Sequence, residues 1–125
     1  MTLEQTNRDR RPGRAVLGFH LSTSTTDDGI VEIAAAGELD LATSELLREA
    51  VDVCCDREGV RAVIVDLRDL SFVDSTGLRA LWHARERAQS IGAELILRSP
   101  SAAMRHLLKI TKLAGVFSVT DPQDD

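Results

Sequence analysis

Apolar and polar positions at the start of this chain follow the pattern of a hairpin. Two short apolar segments, residues 15–21 and 30–36, flank the polar cluster 22–29, which ends in the turn-forming pair Asp28-Gly29. Runs of this length around such a turn are typical of two antiparallel strands. The pattern therefore predicts an N-terminal β-hairpin.

Helical and extended patterns then alternate along the middle of the chain. Apolar residues recur at helical spacing over 43–58, and Gly59 is expected to end this helix. Residues 61–67 contain a continuous apolar run, which is typical of a central strand. A second helix is predicted from Ser75 to Gly92, followed by a strand over 93–98.

Ser99-Pro100 predicts the start of a third helix, because serine favours the N-cap and proline the first helical position. This helix is expected to end near Gly115, and residues 116–119 are interpreted as a short edge strand. Strands separated by helices imply crossover connections. The sequence thus predicts an α/β fold, a single domain with a mixed four- to five-stranded sheet, an N-terminal β-hairpin and about three helices.

Polar segments are expected on both sides of this domain. Residues 1–14 contain four arginines and no apolar stretch, so they are interpreted as a flexible basic tail. The folded domain is expected over residues 15–120, and residues 121–125 form an acidic C-terminal tail.

The composition limits the classes of partner. The 125 residues have a net charge of −5, which argues against direct nucleic-acid binding because phosphate binding needs a basic surface. The chain has no apolar run of about 18 residues and no apolar segment at its N-terminus. We therefore expect a cytoplasmic protein without a membrane partner.

Motifs for catalysis and for cofactor binding are missing. Neither glycine-rich phosphate-binding motif occurs, and His20, His83 and His106 are scattered without metal-ligand spacing. Cys54 and Cys55 are adjacent, and Cys54 falls on the apolar face of the first helix as a small core residue. The sequence predicts no cofactor and no metal site.

Ser75 stands where a strand and loop lead into a helix, which is also the position of a hydrolase nucleophile. That motif requires G-x-S-x-G, and Val73 replaces its first glycine, so we expect no enzyme. Ser75 can instead be a substrate, because a phosphate there would meet free backbone N–H groups at a helix N-terminus. A purely structural interpretation is also open, since Asp74 and Ser75 are both favoured caps.

The longer segment VIVDLRDLSFVDSTGLRAL, residues 63–81, closely resembles the STAS domain of anti-sigma factor antagonists, small bacterial proteins of partner-switching regulation. Three further segments resemble the same family, namely GELD at 37–40, Ser99-Pro100 and the ending 115–117. The likeness covers about residues 15–120. Trp82-His83 departs from it, because small or aliphatic residues are common at those positions in the family.

The resemblance implies that Ser75 is phosphorylated by an ATP-dependent anti-sigma factor kinase. The unphosphorylated form would bind that kinase and release a sigma factor, and phosphorylation would abolish binding. Asp40, Asp74, Thr76 and Gly77 are expected to form the partner-binding surface around Ser75. The alternative is a non-switching STAS subunit of a scaffold or of a lipid transporter complex, which need not keep a phosphorylatable serine.

Overall fold

The computed structural model of the chain describes residues 8–16 and 18–121. This part of the chain forms six strands and three helices in α/β order. The strands are β1 (Arg8–Val16), β2 (Phe19–Thr26), β3 (Ile30–Leu39), β4 (Ala62–Val73), β5 (Glu94–Arg98) and β6 (Ser118–Thr120). The helices are α1 (Ser44–Cys55), α2 (Ser75–Ser90) and α3 (Ala102–Ile110).

The strands form one mixed sheet in which they lie side by side in chain order. The pairs β1–β2 and β2–β3 are antiparallel, and the pairs β3–β4, β4–β5 and β5–β6 are parallel. Each helix connects two neighbouring parallel strands. The predicted mixed sheet, N-terminal hairpin and three helices are confirmed, and β1 brings the number of strands to six where four to five were predicted.

The core lies on one face of this sheet because alternate side chains of a strand point the same way. Val65 of β4 stands opposite Ile33 of β3 and Leu97 of β5, and all three are fully buried. Buried residues of α1 and α2 complete the same apolar cluster. Cys54, predicted as a small core residue, is buried, and so is its neighbour Cys55.

The N-terminal region differs from the prediction of a flexible tail. Residues 8–14 belong to β1, and the expected first strand over 15–21 is split by Gly18, which has a φ of 80°. The β1–β2 register shifts between Arg11 and Arg14, around Pro12-Gly13. Proline has no N–H to donate to the ladder. An edge strand such as β1 tolerates this loss because one of its sides has no neighbouring strand. Residues 1–7 and 122–125 of the predicted tails lie outside the described residues.

Two boundaries also differ. The polar residues 22–26 continue β2, so the hairpin loop is confined to residues 27–29. The third helix begins at Ala102 with Ser101 as its cap, whose Oγ accepts a 3.1 Å hydrogen bond from the Met104 N–H. Ser99 instead adopts a φ of 57°. No helix within the described ranges has the length and apolar character to cross a bilayer.

Candidate functional site

Ser75 is the first residue of α2 and lies at the carboxyl end of β4. Because β4 extends to Val73, the expected loop over 68–74 is reduced to Asp74 alone. The Ser75 side chain is exposed, as the phosphorylation hypothesis requires. A long central strand and a well-formed helix therefore fix the backbone position of Ser75.

Asp74 is the N-cap of α2. The sequence allowed either Asp74 or Ser75 as this cap, and the structure assigns the role to Asp74. Its Oδ1 accepts hydrogen bonds from the Gly77 N–H at 3.0 Å and from the Thr76 hydroxyl at 2.6 Å. The bond from Thr76 first, and then that from Gly77, hold the pKa of Asp74 below its usual value. Asp74 is therefore an anion at neutral pH, directly beside Ser75.

Gly77 has a packing role under this site. It is buried, and a Cβ there would lie 2.5 Å from the Leu39 carbonyl oxygen and 2.8 Å from a Val73 methyl carbon. Only a residue without a side chain lets α2 approach the ends of β3 and β4 this closely. Gly77 therefore acts on the predicted partner surface indirectly, by placing Ser75.

Asp40 lies in the loop after β3, next to the loop that carries Ser75. The Asp74 N–H donates to the Leu39 carbonyl at 3.2 Å, so the two loops are neighbours, as expected. Asp40 itself is half-buried and its Oδ1 accepts from the Ala42 N–H at 3.0 Å. The following residue, Leu41, is 77% exposed, which adds an apolar side chain to this end of the sheet.

Two apolar depressions that the sequence did not predict lie near this end of the sheet, and Ser75 lines one of them. The first, here named the Trp82 depression, has a volume of about 410 Å³ and is lined by Ser75, Leu78, Arg79, Trp82, Thr111 and Leu113. The second lies between the end of β4 and α3, has a volume of about 250 Å³, and is lined by residues that include Phe72 and Ile110. The unusual Trp82 was the one sequence signal for the first of them.

His83, on the same helix as Ser75, contacts α1. The Nε2 atom of His83 lies 2.9 Å from Oδ1 of Asp52 on α1. His83 is eight residues beyond Ser75, about 12 Å along α2. In the described part of the chain, no group of three His, Cys, Asp or Glu residues could hold a metal ion.

Comparison with known proteins identifies the family. A family model described as the STAS domain matches residues 23–123. The chain belongs to the STAS domain family. This STAS domain is 29% identical over 109 residues to an anti-sigma-B factor antagonist of Listeria monocytogenes, with 87% of this chain and 95% of the relative covered.

Two solved structures share the fold of this STAS domain. The anti-sigma factor antagonist SpoIIAA in its unphosphorylated form gives a TM-score of 0.70 at 21% identity, over 83% of this chain and 90% of that one. SpoIIAA of Bacillus in its phosphorylated form gives a TM-score of 0.65 at 22% identity, over 83% of this chain and 94% of that one. These likenesses support the confirmed fold class.

Proposed function

We propose that this STAS domain is an anti-sigma factor antagonist that is switched by phosphorylation of Ser75. The unphosphorylated form binds an ATP-dependent anti-sigma factor kinase and thereby releases a sigma factor. Phosphate on Ser75 abolishes that binding. The observation that carries this proposal is the exposed side chain of Ser75, which stands next to the Asp74 cap of α2 and lines an apolar depression.

The electrostatics of the site favour such a switch. A phosphate adds about −1.5 to −2 charges at neutral pH, next to the carboxylate of Asp74. Within the free domain, the phosphate is exposed to water and lies at the positive end of the α2 dipole, so the fold tolerates it. In a docked complex the same group would be desolvated beside Asp74 and against the partner. Binding is therefore far more sensitive to the phosphate than folding is.

The names of the relatives agree with this function. The Listeria relative is an anti-sigma-B factor antagonist, and SpoIIAA has been solved in phosphorylated and unphosphorylated forms. A non-switching subunit of a scaffold or a lipid transporter complex would not need Ser75 to accept phosphate. Phosphoryl transfer to Ser75 therefore distinguishes the two functions.

The test incubates the full chain with ATP and each anti-sigma factor kinase of the source organism, and follows the intact mass. One kinase is expected to add one phosphate to the wild-type chain and one to the control Ser71→Ala. This control removes a different exposed serine, four residues before Ser75. Ser75→Ala should bind that kinase and gain no phosphate. Transfer to Ser75→Ala, or no transfer to the wild-type chain by any of these kinases, would contradict the proposal.

Calorimetric titration of the same kinase tests the second half of the switch. Phosphorylated chain should bind about a hundredfold more weakly than unmodified chain, which corresponds to about 2.7 kcal/mol. Ser75→Asp should reproduce part of this loss, because one carboxylate has less charge than a phosphate. Thermal melts should be nearly the same for all forms. Equal affinity of the two phosphorylation states would exclude a switch at Ser75.

A further inference from the structure

The Trp82 depression opens directly beside Ser75, which is one of its lining residues. Its floor is apolar, because Leu78 is buried and Trp82 and Leu113 are half-buried against the core. Its volume of about 410 Å³ has room for a large apolar side chain of another protein. A partner that covers Ser75 therefore also meets the edge of this depression.

The Trp82 ring is held in place before any partner arrives. It meets the Phe117 ring edge-on, with centroids 6.3 Å apart and an interplanar angle of 87°. On the helix surface, the Arg85 guanidinium carbon lies 5.1 Å from the Trp82 ring centroid. A side chain that is already ordered loses little conformational entropy on binding, and tryptophan is enriched at the energetic centres of interfaces.

Two cations lie at the depression, although the chain has a net charge of −5 and Asp74 next to Ser75 is an anion. Arg79 lines it and is exposed, one helical turn after Ser75. Lys112 is exposed and stands in the chain between the lining residues Thr111 and Leu113. The depression is thus an apolar floor with a cationic rim.

We propose that the Trp82 depression is a docking pocket for an apolar side chain of the anti-sigma factor kinase, and that carboxylates flank this side chain on the kinase. This inference rests on the proposed function, since it names the same partner. Charge complementarity across the rim orients the kinase and excludes partners with a basic surface, while the buried apolar side chain supplies affinity.

The test uses the kinase that phosphorylates Ser75 and two substitutions at the pocket. Arg79→Glu reverses a rim charge, and Thr111→Trp fills the pocket from an exposed position at the end of α3. Arg57→Glu is the control for charge, because Arg57 is exposed and lies near the start of β4, at the opposite end of the sheet. Ser90→Trp is the control for size, because Ser90 lies at the end of a helix as Thr111 does. The hydroxyl of each residue donates to a backbone carbonyl of its own helix, that of Arg87 for Ser90 and that of Leu107 for Thr111.

Each pocket variant is expected to weaken kinase binding by about tenfold or more, and each control to stay within about twofold of wild type. Of the two pocket variants, only Arg79→Glu should lose less affinity as salt is added, because Thr111→Trp leaves the charge unchanged. All four should melt close to the wild-type temperature, since the positions are exposed.

The outcomes separate this inference from the proposed function. If the kinase phosphorylates Ser75 and binds both pocket variants as tightly as wild type, the inference is wrong and the switch stands. If no kinase transfers phosphate to Ser75, both fail. If the wild-type chain self-associates and Thr111→Trp abolishes this association, the occupant of the pocket is a second copy of the chain. That result would exclude the kinase as the occupant.

Discussion

Asp74 decides how α2 begins, and its removal should therefore be measurable. Asp74→Ala leaves the Gly77 N–H and the Thr76 hydroxyl without their acceptor. We expect the free energy of unfolding to fall by about 1 kcal/mol, the usual value of a lost N-cap. Asp74→Asn keeps an acceptor and should lose less. Urea unfolding at neutral pH measures both, and an unchanged Asp74→Ala would show that the cap adds no stability.

The same cap predicts a pH dependence of stability. Hydrogen bonds from Thr76 and Gly77 lower the pKa of Asp74 in the folded chain. The stabilisation is therefore complete above the unfolded pKa of about 3.9 and is lost as the pH falls through the lower folded value. The difference in unfolding free energy between wild type and Asp74→Ala should be constant near neutral pH and shrink in acid. A difference that grows in acid would contradict this assignment.

At the residue scale, local chemistry could be predicted and distant neighbours could not. Asp74 and Ser75 were found because capping depends on residues within one helical turn. The Trp82 depression was missed because Thr111 and Leu113 are about thirty residues from Trp82 in the chain. Only the folding of α3 and the turn after it brings them beside α2. The partner roles of Asp40, Asp74, Thr76 and Gly77 stay predictions.

At the scale of elements, the approach of α2 to the ends of β3 and β4 depends on Gly77. Gly77→Ala would place a methyl group 2.5 Å from the Leu39 carbonyl oxygen, so α2 must shift. We expect a loss of about 1–3 kcal/mol in unfolding free energy and a weaker affinity for the kinase, because Ser75 moves with the helix. Urea unfolding and calorimetry measure the two effects.

Gly115→Ala is the matched control, since a Cβ there meets nothing within 4 Å. It should leave stability and binding near wild type. Equal stability of Gly77→Ala and Gly115→Ala would mean that the close approach of α2 is not required.

The bounds of a strand or helix could be predicted where its own residues determine them. They were harder to predict where pairing with another element determines them. The core strand around Val65 and the helices at 43–58 and 75–92 have patterns that a single element specifies. Residues 22–26 are polar, and pairing with β1 and β3 on either side keeps them extended as β2. Likewise, the backbone N–H of Ser99 donates to the Thr120 carbonyl at 2.8 Å, a long-range bond that leaves Ser101 to cap α3.

At the scale of the whole molecule, β1 protects the edge of the sheet. Deleting residues 1–16 would expose the backbone N–H and C=O groups of β2, which pair with β1 in the intact chain. We expect the shortened domain to stay folded, to melt at a lower temperature, and to associate as its concentration rises. Melting curves and sedimentation measure this.

Deletion of residues 1–7 is the control, because it keeps β1 and should match the full chain. If deletion of residues 1–16 changes neither the melting temperature nor the sedimentation, β1 contributes nothing to the domain.

Trp82 is the only tryptophan of the chain, which has no tyrosine. Fluorescence excited at the long-wavelength edge of the indole absorption band therefore comes from Trp82 alone. Trp82 lines the same depression as Ser75, the serine that accepts phosphate in our proposal. The energy of the indole excited state depends on nearby charge and water, and both change when Ser75 is modified or covered. The domain thus contains its own optical probe of the switch, and stopped-flow fluorescence can follow modification in real time without a label.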